Sequence, residues 1–441
     1  MRGVVISGTG SGVGKTSITM AIMRSLSKNM KVQGFKVGPD FIDPLFHTAA
    51  TGRTSRNLDS FMMSKGTVKN LANYGSKGSD ISIVEGVRGL FEGSSGTDDS
   101  GSTAEMAKIL DLPVILIVNA RSLTRSAAAM INGFRDFDKD INIAGVILNN
   151  VSGPQHRRKL SEAIEQRSGV RILGMVRRDA EYAMKERHLG LDTDLRAENS
   201  ITEGMDRMIE DIDIDAICEI CGDRAEEEST SPYEQRNSGL KVAIPKDDAF
   251  CFYYRENIEC MEASGMKIRY FSPLAGDGLP DADIYYFGGG YPEVHMERLS
   301  ENMDLFQGIR NAHEEGKVIL GECGGMLVMC NELNAGNKRF NTAGIFDAKA
   351  DMVNKRHGPS YMIAEPNENC RLFNEPVRGH TFHYSSVIPN SDQTFGLNVV
   401  RGIGMIGDKD GMVNGNSMGS YMHQHSLSVK DWMGRITDIC R

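Results

Sequence analysis

The sequence has no apolar run approaching the roughly 20 residues that span a bilayer, which excludes a membrane-crossing helix. It has no secretory leader pattern either. Met1-Arg2 lead directly into the strand-like Val4-Val5-Ile6-Ser7, so a cytoplasmic location is expected. Its eight cysteines are scattered without a pairing rhythm, which argues against a disulfide framework and for a reducing compartment. Positive charge is in deficit. With 50 Lys and Arg against 59 Asp and Glu, the net charge of −9 argues against nucleic acid as the main partner. No internal repeat of fixed short period is found. What is present is an ordinary globular composition, 40% hydrophobic and 25% charged. At 441 residues the chain has room for two or three domains of about 100–200 residues. The 25 methionines read as adaptable core filling.

Short apolar β-type runs alternate with helical stretches. VVIS (4–7), GFKV (34–37), ISIVE (81–85), PVILIVN (113–119) and AGVILNN (144–150) read as buried parallel strands. Between them, SITMAIMRSLSK and TAEMAKIL have helical spacing. That rhythm predicts a doubly wound α/β sheet. It stops in the charged, aperiodic CGDRAEEESTSPYEQRNSG (221–239) and restarts with KVAI (241–244), KIRYFS (267–272), DIYYFGGG (283–290) and KVILGEC (317–323). Two α/β domains are expected, 1–222 and 239–441, with 223–238 as the linker.

GTGSGVGKTS (8–17) departs from the strict phosphate-binding loop, because the first glycine slot falls on Thr9. Its setting, strand then Gly-rich turn then helix, is nonetheless the one such a loop requires. Backbone N–H groups from Gly12, Val13, Gly14, Lys15, Thr16 and Ser17 would cradle ATP phosphates at the helix N-terminus. Lys15 would reach the β/γ-phosphates, and the Thr16 hydroxyl would hold Mg²⁺. Glu85, ending ISIVE, sits where a second metal-holding carboxylate belongs. KVGPDFIDPLFH (36–47) follows a strand at the carboxyl edge where α/β ligands bind, and offers Lys36, Asp40 and Asp43. Asp40 joins Thr16 and Glu85 as a metal candidate. Asn149-Asn150, after another strand, could reach a purine base. Gly10 stands where DNA-partitioning P-loop ATPases carry a second lysine, which argues against that class. The loop instead resembles the dethiobiotin synthetase-like group, whose members phosphorylate a carboxylate.

In the second half, KVILGECGGMLVMC runs a strand into Gly321-Glu322-Cys323-Gly324-Gly325, the sulfur counterpart of a nucleophile elbow. The helix behind it is expected to lower the pKa of the Cys323 thiol. FGGGYPE (287–293) offers oxyanion donors at Gly289 and Gly290. A base is needed, and two histidine clusters supply candidates, GHTFHYS (379–385) and SYMHQHS (420–426). His423 is chosen, with His383 and His425 next in line. No Glu follows His423 at a two-residue spacing, so a Cys-His dyad is expected. Cys218 and Cys221 form a lone CxxC without further zinc ligands nearby and read as structural.

Taken together, SGTGSGVGKTS, FKVGPDFIDPLFH, NLDSFMM, VEGV, GSTAEMAKIL, GGGYPE, ECGGM, GHTFHYS and SYMHQH resemble the cobyrinate a,c-diamide synthase family, in family order from residue 7 to 425. The resemblance implies an ATP-dependent carboxylate-activating domain followed by a class I-type glutamine amidotransferase domain. It also implies that Cys323 attacks glutamine and that His423 raises its nucleophilicity. The partners it implies are ATP, glutamine and an anionic cyclic tetrapyrrole, with a homodimer allowed for. Lys36, Asp43, Arg88, Gly289, Gly290, His380 and His383 are the substrate candidates, and Arg121 and Arg125 further cations. Where many cobyrinate enzymes carry Met and Tyr-Asp, this chain has Arg88, Phe91 and Glu92. It also has Asn119 where an acid is usual and Thr381 where Glu is usual. Arg88, NARSLTRSAAAM (119–130) and ERHLGL (186–191) are similar to the methanogen branch, which amidates nickel-sirohydrochlorin. A regulatory P-loop ATPase would not need Cys323 and His423, and a stand-alone carboxylate kinase would not need the second half.

Overall fold

The computed structural model describes residues 1–179, 198–223, 228–390 and 392–441. These fall into two compact units, Met1–Pro232 and Tyr233–Arg441. ERHLGL (186–191) lies outside the described residues. In the first unit the chain alternates β1 (Gly3–Gly8), α1 (Lys15–Ser27), β2 (Val32–Val37), α2 (Ile42–Thr51), β3 (Arg56–Leu58), α3 (Lys65–Gly75), β4 (Ile81–Glu85) and α4 (Thr103–Leu110). It continues through β5 (Val114–Asn119), α5 (Arg125–Phe137), β6 (Ile143–Val151), α6 (Pro154–Arg167), β7 (Ile172–Arg177), α7 (Glu198–Ile209) and α8 (Ile214–Cys221). The strands form one parallel sheet in the order β3-β2-β4-β1-β5-β6-β7.

All five expected strands are there, and their apolar runs have a physical cause. β1, β2 and β4 are buried at every position, because helices cover both faces of the sheet. Helix starts follow local chemistry: Ser64 accepts from Thr67 N–H at α3, and Ser102 from Glu105 N–H at α4. Parallel strands all end at one edge. That geometry brings the β1–α1 loop, Lys36 of β2 and Glu85 of β4 together, with Glu85 in register between Lys36 and Ile6. Among the described residues no helix is long and apolar enough to cross a membrane.

The expected linker is tied down at both ends. Lys77 Nζ and Asn70 Nδ2 donate to the carbonyls of Ser229 (2.7 Å) and Thr230 (3.2 Å) in the first unit. Arg236 and Ser238 donate backbone N–H groups to Ala263 and Ser264 in the second.

The second unit contains β8 (Lys241–Pro245), α9 (Arg255–Ala263), β9 (Lys267–Phe271), β10 (Ile284–Phe287), α10 (Met296–Glu301), α11 (Met303–Glu314), β11 (Val318–Glu322) and α12 (Gly324–Leu327). The strands β12 (Cys330–Ala335), β13 (Lys338–Asn341), β14 (Phe346–Pro366), β15 (Val377–Pro389), β16 (Thr394–Arg401), β17 (Lys409–Asn414), β18 (Ser417–Ser420) and β19 (His423–Gln424) follow, then α13 (Gly434–Ile439). Here β9, β8, β10, β11 and β18 form a parallel set. An antiparallel extension through β17, β16, β14 and β15 curls back to β19. This extension delivers His423 to the elbow after β11.

Candidate active sites

Off-pattern as it is, the β1–α1 loop has its glycines where the backbone needs them. Thr9 continues the strand ladder, donating its N–H to Ile117 O at 3.0 Å, a task open to any residue. Gly12 and Gly14 have φ of +72° and +93°, in the left-handed region that favours glycine. A Cβ on Gly14 would lie 2.1 Å from Asn149 Nδ2, and one on Gly8 would lie 2.6 Å from Val13 Cγ2. Asn149, read as a purine contact, spends its amide elsewhere. Its Nδ2 donates to Val13 O at 2.8 Å and braces the loop from β6. Asn150 donates in turn to Asn119 Oδ1 at 3.1 Å.

Behind the loop lies a buried ionic cluster. Glu85 Oε1 accepts from Thr16 Oγ1 at 2.8 Å and from Lys36 Nζ at 3.0 Å, and Glu85 Oε2 is 2.7 Å from His47 Nε2. Lys36 also pairs with Asp43 Oδ2 at 2.5 Å and donates to Gly86 O at 3.2 Å. Glu85 and His47 are fully buried and Lys36 nearly so. Burial opposes the Glu85 charge, but Lys36 and the His47 bond outweigh it and hold the carboxyl well below its usual range. Burial likewise opposes the Lys36 charge, and Glu85 and Asp43 reverse the balance, holding the ammonium well above its usual value. Burial, reinforced by the Glu85 charge, pushes Asp43 up to about 7. Lys15 is lowered by burial and by Lys36, and its Nζ donates to Arg88 O at 2.7 Å.

A hydroxyl (Thr16) against an ionised carboxylate (Glu85) is the hard-oxygen donor pair that suits Mg²⁺. Asp40 commits one oxygen to opening α2, where Oδ1 accepts the N–H groups of Ile42 (2.8 Å) and Asp43 (3.0 Å). Arg88 meets the cluster through its backbone. Its φ is +50°, its carbonyl receives Lys15, and its side chain is exposed, as are those of Arg121 and Arg125. His47 was not among the sequence candidates. It follows Asp43 by four residues on α2, so the two share a helix face, a spacing that could have found it. Asn57 is a second addition, its Nδ2 donating to the carbonyls of Gly38 (2.9 Å) and Asp40 (2.7 Å) and holding that loop.

In the second unit, Cys323 has φ +48° and ψ −108°, a strained conformation that a non-glycine residue adopts only where the surroundings impose it. Its N–H donates to Ser420 O at 2.7 Å, which hangs the elbow on β18. Glycines make room on either side. A Cβ on Gly324 would fall 3.3 Å from Gly290 N and 2.8 Å from Pro292 Cδ, while one on Gly289 would fall 2.4 Å from His423 Cε1. The two glycines of the β10–α10 connection therefore pack on the thiol's turn and on the imidazole, and they bring Cys323 and His423 to one site. Gly289 O accepts the N–H groups of Cys251 (3.1 Å) and Phe252 (3.0 Å), which fixes the connection.

The expected lowering of the thiol pKa is corrected by the structure. Burial, then the Glu293 charge, pushes Cys323 up to about 12 against an opposing bond from Gly324 N–H. A single-turn α12 is too short to offset desolvation. Burial, then His383, takes His423 down to about 3. At neutral pH the resting pair is thiol and neutral imidazole.

The remaining histidines are placed as follows. His380 pairs with His423 across β15 and β19 and stacks on it, with ring centroids 4.9 Å apart; its Nδ1 is 3.0 Å from Tyr254 OH. Expected from the sequence to meet substrate, His380 is instead packed against the base and is only 3% exposed. His383 stacks on Tyr421 at 3.6 Å, half-buried. His425 is fully buried, with Nε2 3.5 Å from Glu256. A residue passed over in sequence is Glu322, whose Oε2 is 3.9 Å from His423 Nδ1. Cys221 lies in the first unit's core and Cys218 packs against it.

Comparison with known proteins agrees with this pairing of sites. Residues 4–191 match the family model of a CobQ/CobB/MinD/ParA nucleotide binding domain, and 241–430 that of a CobB/CobQ-like glutamine amidotransferase domain. A protein of Methanosphaera stadtmanae named cobyrinate a,c-diamide synthase is 41% identical, covering 98% of this chain and 97% of its own. Proteins of the same name from Methanobrevibacter smithii and Methanocaldococcus jannaschii are 41% and 42% identical, covering 98% and 97% of this chain and 98% and 97% of their own. The chain belongs to the cobyrinate a,c-diamide synthase family, glutamine-dependent amide-forming ligases with a nucleotide-binding domain and a glutamine amidotransferase domain.

Proposed function

We propose that this chain amidates the a and c acetate side chains of nickel-sirohydrochlorin, consuming ATP at the Lys15 loop and glutamine at Cys323. The observation that carries the reaction is the presence, in one polypeptide, of a buried Glu85–Lys36 pair bonded to Thr16 of a phosphate loop and a strained Cys323 elbow beside His423. In the first unit the γ-phosphoryl group passes to an acetate oxygen, giving an acyl phosphate and ADP. Lys15 orients the phosphates and offsets the charge that builds on them, while Lys36 holds Glu85 and Asp43 in place. Mg²⁺, held by Thr16 and Glu85, would draw negative charge from the same phosphates when bound.

In the second unit Cys323 Sγ attacks the amide carbon of glutamine while its proton passes to His423. The Gly290 and Gly324 N–H groups would receive the developing oxyanion, since Gly290 N lies beside the turn that Gly324 forms after Cys323. The proton leaves with ammonia, and water hydrolyses the remaining thioester to glutamate. Ammonia displaces phosphate from the acyl phosphate and leaves the amide, once per acetate.

The nickel substrate is supported by Arg88 and the 119–130 segment, which resemble the methanogen branch, and by the methanogen sources of the relatives. Those relatives are nevertheless named for cobyrinate, which makes cobyrinate the second reading. Anaerobic turnover with glutamine and ATP, offering each tetrapyrrole separately and counting amides by mass, separates the two. A kcat/KM preference for the nickel macrocycle is expected. A preference of tenfold or more for cobyrinate, about 1.4 kcal/mol in transition-state binding, would reverse the substrate assignment. Cys323→Ser should lose glutamine-dependent turnover and keep turnover with ammonium at raised pH. Equal loss with both nitrogen donors would refute the nucleophile assignment.

A further inference from the structure

A cysteine–histidine site ordinarily has a third group that orients the imidazole and balances its charge. At the usual place, two residues after the base, this chain has His425. That side chain is buried and directed to Glu256, 3.5 Å away, and to the Tyr254 ring, with centroids 4.8 Å apart.

A carboxyl group reaches the base from elsewhere. Glu322, the residue before the nucleophile, is only 4% exposed. Its Oε2 lies 3.9 Å from His423 Nδ1 and accepts the Tyr286 hydroxyl at 3.0 Å, while its Oε1 accepts Gln424 N–H at 3.2 Å. Glu322 adjoins the nucleophile Cys323 in the chain, and Gln424, which donates to it, adjoins His423. Any shift of the elbow or of β19 therefore moves Glu322 with it. We propose that Glu322 is the third member of the thiol site, a positioning residue whose carboxylate orients His423 through Nδ1 and balances the imidazolium formed when His423 takes the Cys323 proton. The 3.9 Å separation is that of a resting site, in which burial raises the Glu322 carboxyl to about 8; a positive imidazolium beside it favours the ionised form and shortens the contact. This rests on the reading of Cys323 and His423 given above, and wild-type glutaminase activity tests that reading separately.

The experiment uses the full chain with Glu322→Gln and Glu322→Asp. Gln keeps the volume and an acceptor for Gln424 N–H but cannot carry charge; Asp keeps the charge and shortens the reach. Buried Trp432 reports the fold of the same unit in each variant. Three readouts are taken: glutaminase kcat and KM, ammonium-dependent amidation, and the pH profile of inactivation by iodoacetamide. The other titratable groups facing the pair are Tyr253 and Tyr254 before α9, Tyr286 of β10, Glu293 before α10, His380 and His383 of β15, Asp410 of β17, and Tyr421. They are common to all three proteins.

For Glu322→Gln, glutaminase kcat should fall about 10²-fold or more with KM little changed. Ammonium-dependent amidation should persist, and thiol inactivation should move to higher pH. Glu322→Asp should recover part of kcat and part of the profile shift. A folded Glu322→Gln protein with wild-type kcat, or with an unmoved inactivation profile, overturns the proposal. So does an unmoved profile in Glu322→Asp if the Gln variant does not fold.

Discussion

Replacing Gly289 by alanine tests whether the β10–α10 connection sets the position of the base. A Cβ there would stand 2.4 Å from His423 Cε1, against ~3.5 Å for an ordinary carbon–carbon contact. One of the two must yield by about 1 Å. The connection has little freedom, because Gly289 O accepts two backbone N–H groups and a Cβ on neighbouring Gly290 would already be 2.2 Å from Ala249 O. The imidazole is the softer partner, and moving it disturbs its stacking on His380 and its approach to Glu322. A displacement of ~1 Å at a catalytic group costs on the order of 10²-fold in rate. The overpacking itself costs about 1–3 kcal/mol of stability. Glutaminase activity of Gly289→Ala should therefore fall about a hundredfold. Turnover with ammonium should stay near wild type, and the unfolding midpoint seen by Trp432 fluorescence should drop by several degrees. Wild-type glutamine turnover in a folded Gly289→Ala protein would refute the argument, since it would mean that the imidazole and Gly289 do not share this space.

Other consequences follow from the same geometry. Lys36→Met leaves Glu85 and Asp43 without their shared cation. Breaking a buried pair from one side costs about 3–5 kcal/mol, so thermal unfolding of the first unit should be markedly lowered and ATP-dependent amidation lost; an unchanged midpoint would contradict the cluster. Asn57→Ala removes two donors from the 38–40 loop and should raise KM for the tetrapyrrole or ATP more than it lowers stability, which steady-state kinetics beside a melting curve would show. A pH dependence follows as well. Burial raises Glu322 to about 8 and Glu293 to about 7, so the folded unit keeps protons that the unfolded chain has released. Their stabilisation is full below the ordinary carboxylate value of about 4.3 and is lost progressively as pH rises from there through 7 and 8, by at most about 1.4 kcal/mol per group per pH unit. The buried histidines act in the opposite sense, but below about 6.5. The Trp432 transition should accordingly fall between about pH 6.5 and 8, and Glu322→Gln should flatten that decline; a transition that rises over this range would contradict the burial of these acids.

Much of this protein follows from the chain itself. Runs such as ISIVE and PVILIVN in the first unit and DIYYF in the second are mostly apolar without alternation, a pattern that suits strands covered on both faces, so the parallel cores of both units are readable locally. The phosphate loop and the elbow are readable for a related reason. Glycine at 12 and 14 answers left-handed backbone conformations within the loop itself, and the Gly-Gly pair after Cys323 marks the sharp turn of the elbow, although the atoms that crowd Gly14, Gly324 and Gly325 come from distant parts of the chain. The antiparallel half of the second unit is not readable in this way. β14 and β15 are long and mixed in polarity, with exposed and buried positions set by partners far along the chain, and no short period announces them. Tertiary structure alone places His47 on Glu85, stacks His380 on His423 and brings Glu322 to the base. Tertiary structure also reverses the expectation for the Cys323 thiol, since its pKa depends on how completely water is excluded around it. Desolvation and long-range pairing are sums over residues distant in sequence, and a motif does not contain them.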